Sequence, residues 1–429
     1  MRDKGNPVNS YRLTTLPNGV RVASIEMPHM RSVSVGVWAT VGGRYENTTT
    51  CGISHFAEHL LFKGTKKRSA RKITEAVEGI GGYLNAFTTE DHTCYYAKAG
   101  AKHLPVLCDV LADMYLNSQF HPVEIERERE VIREEILMVH DNPSQHIQEI
   151  LSDTLWPNHP MGRPLTGTVE SISRLQQPDF LGFTRRFYNG RTTILCVAGP
   201  VSHDCVLQYF GEPFRQLEKG RLPRFAPPDP LKGKEPRVTL VRQEIEQTHL
   251  AIGFHTFGRH DDRRYALKLL SVIMGENMSS RLFQRLRERH SICYSISSGL
   301  VSLEDAGALT IFAALEPAKL EKAVRLTLEE LQKFVDRPPS KNELARAKDY
   351  TIGQTLMGLE STTNQMMWMG ESILGYGKIV DPTEVETRLL AVTAEEVQAV
   401  ARECLTRQRM AVAIVGDVPA EERVRLWLQ

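Results

Sequence analysis

The sequence lacks long hydrophobic runs and an excess of charge of either sign. No stretch approaches the roughly 18–20 consecutive apolar residues of a membrane-spanning helix. The N-terminal segment has neither the apolar core of a signal peptide nor the Arg- and Ser-rich composition of a transit sequence. The 53 Lys and Arg residues nearly balance the 52 Asp and Glu residues, which leaves a net charge of +1 at pH 7. We therefore expect a protein with no nucleic-acid partner and no membrane partner, since no overall field attracts either one.

Cysteine is also scarce, and its spacing contains no C-x-x-C pair. The seven residues are scattered and odd in number: Cys51, Cys94, Cys108, Cys196, Cys205, Cys293 and Cys404. A chain of 429 residues can bury a large core without disulfides, so reduced thiols are the simpler interpretation. This pattern predicts a bacterial cytoplasmic location, with the mitochondrial matrix as the alternative for a mature organellar form.

The same order of predicted elements occurs twice along the chain, about 216 residues apart. An apolar strand that ends at Gly199 recurs at Gly416, and a strand beginning at Ser32 has its counterpart at Thr248. Between the halves lie five prolines, which can join neither a helix interior nor a sheet interior: Pro223, Pro227, Pro228, Pro230 and Pro236. We predict an N-terminal domain at 1–215, a Pro-rich linker at 216–236 and a C-terminal domain at 237–429.

The order of strands and helices within each half predicts the fold class. Each half begins with alternating or continuous apolar segments typical of strands, and pairs of amphipathic helices and further strands follow. The strict alternation of strand and helix that makes a doubly wound parallel sheet is missing. We therefore predict an α+β fold of two homologous domains. In each, an antiparallel-rich mixed sheet would have helices packed mainly on one face.

The segment GISHFAEHLLF contains the arrangement His55-x-x-Glu58-His59. On a helix, the two histidines and Glu58 share a face that is separate from the apolar stripe of the same segment. Two imidazoles one turn apart can bind one tetrahedral metal, and a carboxylate beside them can hold and deprotonate a water. The arrangement is the inverse of the H-E-x-x-H zinc pattern. The alternative is a surface or capping cluster of ordinary polar residues.

A catalytic zinc needs a third protein ligand, for which a carboxylate-rich helix near residue 130 is the candidate. Glu128 and Glu135 lie seven residues apart, within about 20° of each other on a helix. They share the face of the apolar residues Ile125, Ile132 and Val139. Carboxylates on an apolar face are costly unless they are paired or bind a metal. The carboxylates on the opposite, solvated side are Glu126, Glu130 and Glu134. Glu128 and Glu135 are thus the candidates, with Glu134 as the alternative if the helix register differs.

Taken together, these residues resemble the pitrilysin/insulinase family of zinc peptidases. The resemblance is closest to the branch of the mitochondrial processing peptidase β subunits and the bacterial processing-type peptidases. It extends from the His55-Phe-Ala-Glu58-His59 segment through LLFKGT and through GGYLNAFTTEDHTCYYA, which matches the family's G-G-x-x-N-A-x-T stretch. In the second half, MSSRLFQRLRERHSICYSISS is similar to the family's R…Y segment. The family often has Gly-Leu-Ala-Tyr where this chain has Ser291-Ile292-Cys293-Tyr294.

The resemblance implies a role for each residue of the first motif. His55, His59 and Glu135 would bind one Zn²⁺ per chain, and Glu58 would be the general base. Glu128 resembles the family's outer carboxylate, which orients His59 or its surroundings instead of binding the metal. The N-terminal domain would therefore be the zinc-binding catalytic domain.

The resemblance also implies where a peptide would bind. Asn85 and Ala86 resemble residues at a sheet edge, where substrate adds as an extra strand, and Thr88 belongs to the same stretch. Arg287 and Tyr294 resemble a pair from the other half that holds substrate carbonyls and steadies the oxyanion. The second half would be a substrate platform without metal, because a shift of about 215 places Leu270 and Met274 where the histidines stand. Without the resemblance, each of these polar residues could be an ordinary turn, surface or half-buried residue.

Three functions follow in order of preference. The first is a zinc endopeptidase that cuts unfolded peptides or precursor segments in a chamber formed by two copies of the chain. The second is the catalytic subunit of a heterodimeric processing peptidase with a zinc-less homologue. The third is a non-catalytic scaffold subunit that binds peptides, although such a subunit is expected to have lost metal ligands. The sequence does not identify the cleaved peptide.

Overall fold

The computed structural model describes residues 11–429, which form two mixed sheets and their covering helices. The strands are β1 (Arg12–Thr15), β2 (Arg21–Glu26), β3 (Ser32–Ala39), β4 (Tyr83–Thr88), β5 (Thr93–Gly100), β6 (Thr193–Gly199), β7 (Arg237–Arg242), β8 (Thr248–Thr256), β9 (Cys293–Ser302), β10 (Gly307–Leu315) and β11 (Met410–Gly416). The α-helices are α1 (Ile53–Leu61), α2 (Ala70–Glu78), α3 (Leu104–Asn117), α4 (Pro122–Asp141), α5 (Pro143–Leu155), α6 (Val169–Arg174), α7 (Gln177–Phe187), α8 (His203–Val206), α9 (Arg264–Ser271), α10 (Leu320–Asp336), α11 (Lys341–Gly358), α12 (Thr362–Tyr376), α13 (Pro382–Ala391), α14 (Ala394–Cys404) and α15 (Glu421–Trp427). π-Helical segments are Leu207–Gly211, Val272–Glu276 and Phe283–Arg289, and single 3₁₀ turns lie between elements.

The two sheets repeat one topology. The first has the strand order β1-β2-β6-β3-β5-β4, and the second has the order β7-β11-β8-β10-β9. In each sheet one neighbouring pair is parallel, β2 with β6 and β7 with β11, and the other pairs are antiparallel. The predicted duplicated α+β fold with antiparallel-rich mixed sheets is confirmed.

Most helices cover one face of each sheet, and a single helix covers the other face. In the first sheet, Val35 and Val197 pack into the main core, while their alternating neighbours Trp38 and Cys196 point to the opposite face. That opposite face is covered by α12, whose packing residues are Met366, Met369 and Ile373. Since both faces are covered, β6 is buried along its whole length and reads as a continuous apolar run.

The second sheet has the same arrangement, with α5 as the helix on its minor face. Ile147, Leu151 and Leu155 lie one turn apart along α5 and pack against a face built largely of alanine: Ala251, Ala308, Ala411 and Ala413. Small side chains on the sheet let the larger leucine and isoleucine side chains of the helix approach closely. The main face carries the larger core, which includes Ile252, Phe254 and Val412.

The two compact units of the chain are not contiguous in sequence. Of the described residues, one unit comprises 11–136, 164–226 and 356–381, and the other comprises 137–163, 227–355 and 382–429. Each sequence half therefore contributes one helix to the other unit: α5 packs with the second sheet and α12 with the first. The predicted boundary within 216–236 falls between β6 and β7 and overlaps the crossing at 226/227. The two other crossings were not predicted.

Among residues 11–429, no helix is both long enough and apolar enough to cross a bilayer. All seven cysteines are free, and six of them are buried.

Replacing Gly370 of α12 by Ala is expected to destabilise the protein by about 1–3 kcal/mol. A Cβ at this position would lie 2.2 Å from Cε2 of the fully buried Trp38. Neither the helix nor the tryptophan ring can move apart without repacking the core around them. The matched control is Gly353→Ala in α11, where a Cβ meets nothing within 4 Å. This control is expected to be neutral or stabilising by about 0.5–1 kcal/mol. Chemical denaturation of both variants measures the difference, and equal effects would contradict the packing of α12 on Trp38.

Candidate active site

The site is built on α1, whose start is held by a carboxylate and a glycine. Glu46 accepts hydrogen bonds from the Gly52 amide at 2.7 Å and from the Ser54 amide at 2.8 Å. A carboxylate at this end is favourable because it meets free amides and the positive end of the helix dipole. Gly52 has a φ of 89°, and a Cβ there would meet the Thr166 carbonyl oxygen at 2.7 Å. This start fixes the direction of α1 and hence the positions of its histidines.

His55 and His59 project from α1 toward Glu135 of α4. The Nε2 atoms of the two rings are 3.2 Å apart, and each lies 3.6 Å from Oε2 of Glu135. In the described part of the chain, this is the one group of three possible metal ligands whose atoms all lie within 4.8 Å of one another. The structure thus brings together the three residues that the sequence proposed as ligands, and Glu134, the alternative, is exposed outside the group.

The spacing of these three atoms fits a zinc ion. With bonds of about 2.0–2.1 Å to nitrogen and oxygen, neighbouring ligands of a tetrahedral zinc lie about 3.3 Å apart. The three observed separations of 3.2, 3.6 and 3.6 Å bracket that value. Burial, followed by the charge of His59, lowers the pKa of His55 to about 3. The His55 ring is therefore neutral and can bind a metal through a nitrogen lone pair. Three ligands also leave the fourth position open, as catalytic zinc sites do.

Glu128 lies behind His59 and holds its ring. Its Oε1 is 3.0 Å from Nδ1 of His59, and its Oε2 is 2.7 Å from Nζ of Lys63. Burial alone would raise the pKa of Glu128, but the hydrogen bonds from His59 and Lys63 outweigh it and the pKa is lowered. With Nδ1 engaged by a carboxylate, the Nε2 lone pair of His59 is directed at the group of ligands. The structure therefore places Glu128 against His59 and Lys63, and its role as an outer carboxylate stays a prediction.

Glu58 is buried beside the ligands, with 8% of its surface exposed. Burial raises its pKa, and the hydrogen bond that its Oε2 accepts from the Thr88 hydroxyl opposes this effect. A buried carboxylate with a raised pKa accepts and returns a proton more readily near neutral pH than an exposed one does. The resemblance groups Thr88 with the substrate-binding stretch, and in the structure its hydroxyl donates to Glu58.

Asn85 and Ala86 lie on β4, the edge strand of the first sheet. Among residues 11–429, β4 pairs with β5 alone, so its other edge offers backbone groups that an extended chain could pair with. The Asn85 side chain is exposed and its Oδ1 accepts a hydrogen bond from the Ala86 amide. The same strand carries Thr88, which links this edge to Glu58.

Arg287 and Tyr294 meet in the second unit. The Arg287 guanidinium lies 4.8 Å from the centre of the Tyr294 ring, and 78% of the Tyr294 surface is exposed. Arg287 itself is half-buried, so Tyr294 is the exposed member of the pair. Leu270 and Met274, the counterparts of the histidines, are fully buried in the apolar core.

Sequence reasoning missed the residues that position the site, Glu46 and Lys63. Glu46 stands in a loop before α1, and no spacing rule links it to the amides of that helix. Lys63 follows α1 by two residues and could have been found from the i to i+4 spacing with His59.

Ser291 occupies the position where the family often has Gly. It has a φ of 48°, a left-handed conformation that costs a residue with a Cβ about 1–2 kcal/mol. Ser291→Gly is therefore expected to stabilise the protein by about 0.5–1 kcal/mol, because the relieved strain exceeds the added chain entropy. Urea denaturation tests this, and destabilisation would contradict the left-handed turn.

Glu128→Gln is expected to weaken zinc binding by about 10–100-fold. The amide keeps the size of the side chain but loses the charge that holds His59 and Lys63. Competition with a chromogenic chelator measures the affinity, and Glu134→Gln on the exposed side of α4 is the control. If zinc affinity fell in Glu134→Gln and stayed unchanged in Glu128→Gln, the roles assigned to Glu128 and Glu134 would be reversed.

The chain is similar to known families and proteins along most of its length. Residues 21–169 match the insulinase family (peptidase family M16), and residues 174–350 match the peptidase M16 inactive domain. An uncharacterized zinc protease of Mycobacterium tuberculosis is 39% identical over 411 residues, which are 94% of this chain and 93% of that protein. An uncharacterized zinc protease of Bacillus subtilis is 35% identical over 95% of this chain and 99% of its own.

Two solved structures share the fold. A protease from Helicobacter pylori superimposes with a TM-score of 0.87 at 23% identity, covering 95% of this chain and 99% of that one. A structure from Pseudomonas fluorescens, described as a peptidase M16 inactive domain, gives 0.88 at 17% identity, covering 96% and 99%.

Proposed function

Because this chain belongs to the insulinase family of peptidases, family M16, we propose that it is a zinc metalloendopeptidase that hydrolyses unfolded peptides or precursor segments. The observation that carries the proposal is the triangle of His55, His59 and Glu135 with Glu58 buried beside it. This donor set fits zinc, and the relatives that cover almost the whole chain are described as zinc proteases.

His55, His59 and Glu135 would hold the zinc ion, and Glu128 would keep the His59 ring in place. Zinc, when bound, lowers the pKa of a water molecule and polarises a carbonyl group. Glu58 would take a proton from the attacking water at the carboxylate oxygen that Thr88 leaves free. It would then give that proton to the leaving amine.

The substrate would bind as an added strand at the free edge of β4. Backbone pairing at an edge strand requires an extended peptide, so unfolded segments would be cleaved in preference to folded proteins. Asn85 and Ala86 would contact the peptide near the scissile bond, and Thr88 would keep Glu58 oriented at that place. Arg287 and Tyr294 would hold substrate carbonyls and steady the oxyanion.

Cleavage of an unfolded protein and of the same protein folded, by the purified chain with zinc, tests this function. We expect cleavage of the unfolded form only, and mass spectrometry of the products should show internal cuts. Removal of single terminal residues, or no cleavage by the zinc-loaded chain, would contradict the proposal.

We propose that two copies of the chain form the active chamber, because one chain carries both the ligand set and the Arg287–Tyr294 pair. The alternative is a heterodimer with a zinc-less homologue. Light scattering, which gives the mass of the assembly, and dilution distinguish the homodimer from the heterodimer. A homodimer is active without a second protein, and its specific activity falls when dilution separates the chains. Zinc binding without cleavage until a homologue is added would favour the heterodimer.

A bacterial cytoplasmic location, or the mitochondrial matrix for an organellar form, is part of the proposal and can be tested by fractionation.

A further inference from the structure

A pocket of about 270 Å³ lies within the second compact unit, between α11 and the segment that follows α9. In chain order, α9 and α11 hold the places that α1 and α4 hold in the first unit. There, α1 and α4 carry the proposed metal ligands, whereas the described lining of this pocket contains neither histidine nor cysteine. Pockets for drug-sized ligands measure about 300–1,000 Å³, so this one suits a smaller molecule.

Ser280 gives the pocket a buried polar atom. It lines the pocket with only 2% of its surface exposed, and among residues 11–429 its Oγ has no hydrogen-bond partner. Ser280 immediately precedes a helical turn that begins at Arg281, where a serine hydroxyl usually accepts a hydrogen bond from an amide. A buried hydroxyl without a partner costs about 1–3 kcal/mol, and a ligand atom that hydrogen-bonds to it would recover this free energy.

The wall beside Ser280 is apolar. Val272, Ile273 and Ala347 line the pocket, and all three are buried. Such a wall favours the methyl or methylene groups of a ligand over its charged groups.

Two opposite charges line the same pocket without partners. Arg346 and Asp349 lie three residues apart on α11, so they share one face of the helix. Both are exposed, and in the described part of the chain neither side chain makes an ion pair or a hydrogen bond. The pocket therefore offers one free cation and one free anion side by side.

The other carboxylate of the pocket, Glu343, is already paired. It accepts hydrogen bonds from Nε and Nη2 of Arg281 at 2.7 and 3.1 Å and from the Ser340 hydroxyl at 2.7 Å. Burial alone would raise the pKa of Glu343, but these hydrogen bonds outweigh it and lower the pKa to about 2. Glu343 therefore adds no free charge, and the unpaired charges of the lining sum to zero.

We propose that this pocket binds a free α-amino acid with a small hydroxyl-bearing side chain, such as threonine. Arg346 would hold the carboxylate, and Asp349 would hold the ammonium group. The side-chain methyl group would lie against the apolar wall, and the side-chain hydroxyl would hydrogen-bond to Ser280.

A free amino acid fits better than a peptide because both charges of the pocket need a partner on one small molecule. An internal residue of a peptide carries neither charge, and a peptide terminus carries only one of them. A bound amino acid would join α11 to the turn at 277–280 and so stabilise the second unit. The inference goes beyond the proposed peptidase function, since its residues take no part in the proposed reaction.

Calorimetric titration of the zinc-loaded chain with L-threonine tests the proposal. We expect one saturable site per chain. L-Valine has the same shape without the hydroxyl and should bind about fivefold more weakly or worse. N-Acetyl-L-threonine and L-threonine amide each lack one of the two charges, and each should bind about tenfold more weakly or worse.

Variants of the lining assign the binding to this pocket. Arg346→Gln and Asp349→Asn change exposed side chains without partners, so both should fold normally and weaken L-threonine binding by about tenfold or more. Arg337→Gln, an exposed arginine just after α10, is the matched control and should leave the affinity unchanged. Ser280→Ala should bring the affinities for L-threonine and L-valine close together.

Two outcomes would overturn the proposal: no saturable binding of L-threonine at millimolar concentration, or equal affinity in wild type and Arg346→Gln. Free amino acids also chelate zinc, and His59→Ala removes this ambiguity because that variant is expected to lack the metal. L-Threonine binding should persist in His59→Ala, and its loss there would assign the binding to the zinc site instead. Failure of the pocket is thus distinguishable from failure of the proposed peptidase function.

Discussion

Glu58→Gln is expected to lower kcat for peptide cleavage by about 10²–10⁴-fold while zinc remains bound. The amide has the size of the carboxylate and can still accept the hydrogen bond from Thr88, but it cannot take a proton from water. Because Glu58 is not one of the three ligand atoms around the metal position, zinc affinity should stay close to that of the wild type.

A quenched fluorescent peptide reports kcat, and elemental analysis reports zinc per chain. Glu78→Gln, which changes an exposed carboxylate on α2, is the matched control and should keep full activity. The combination of retained zinc and lost turnover separates a proton-transfer role from a structural one. Retention of turnover within about threefold of wild type would exclude Glu58 as the base.

His59→Ala is expected to abolish zinc binding at micromolar metal and to reduce cleavage to the background rate. The substitution removes one of two imidazole ligands and also leaves Glu128 with a single partner, Lys63, in a buried position. Loss of a ligand from a three-residue site costs more than the roughly 10–100-fold that loss of an outer partner costs.

The stability of the protein gives a second measure of this prediction. A metal that binds only the folded state stabilises it by RT ln(1 + [L]/Kd), so added zinc should raise the Tm of the wild-type chain. The same addition should leave the Tm of His59→Ala unchanged. His29→Ala, an exposed histidine in the first unit, should respond as the wild type does. One tightly bound zinc in His59→Ala would show that the ligand set is wrong.

The parts of the site that depend on local geometry could be predicted from the sequence. His55, Glu58 and His59 share a helix face because the helical repeat is fixed, and the structure keeps them together. The projection of α4 singled out two carboxylates, but their distinct roles came from the resemblance. In the structure, Glu135 lies at both Nε2 atoms while Glu128 lies at Nδ1 of His59.

The long-range contacts could not be predicted, because periodicity shows that a helix buries a face but not which partner receives it. For this reason the sequence did not reveal that α5 packs with the second sheet and α12 with the first. The bond from Thr88 to Glu58 depends on where β4 lies relative to α1, which no local pattern encodes. Likewise, the spacing of His140 and His146 does not pair them on one helix, and the turn between α4 and α5 brings their rings to 4.5 Å between centres.

The family assignment was predicted from a few separated motifs, and the comparisons confirm it over almost the whole chain. The fold class is confirmed as well, down to the duplication of a mixed, antiparallel-rich sheet. Substrate identity and oligomeric state remain proposals, because they depend on surfaces and partners that motifs do not describe.

Removal and stoichiometric return of zinc is the measurement that tests the central claim most directly. The chain is stripped with a chelator, zinc is added back in steps, and cleavage of the quenched peptide is followed at each step. The account predicts no cleavage by the stripped chain and a linear recovery that ends at one zinc per chain, with further zinc adding no activity. Full cleavage by the stripped chain, or one bound zinc that restores none, would contradict it.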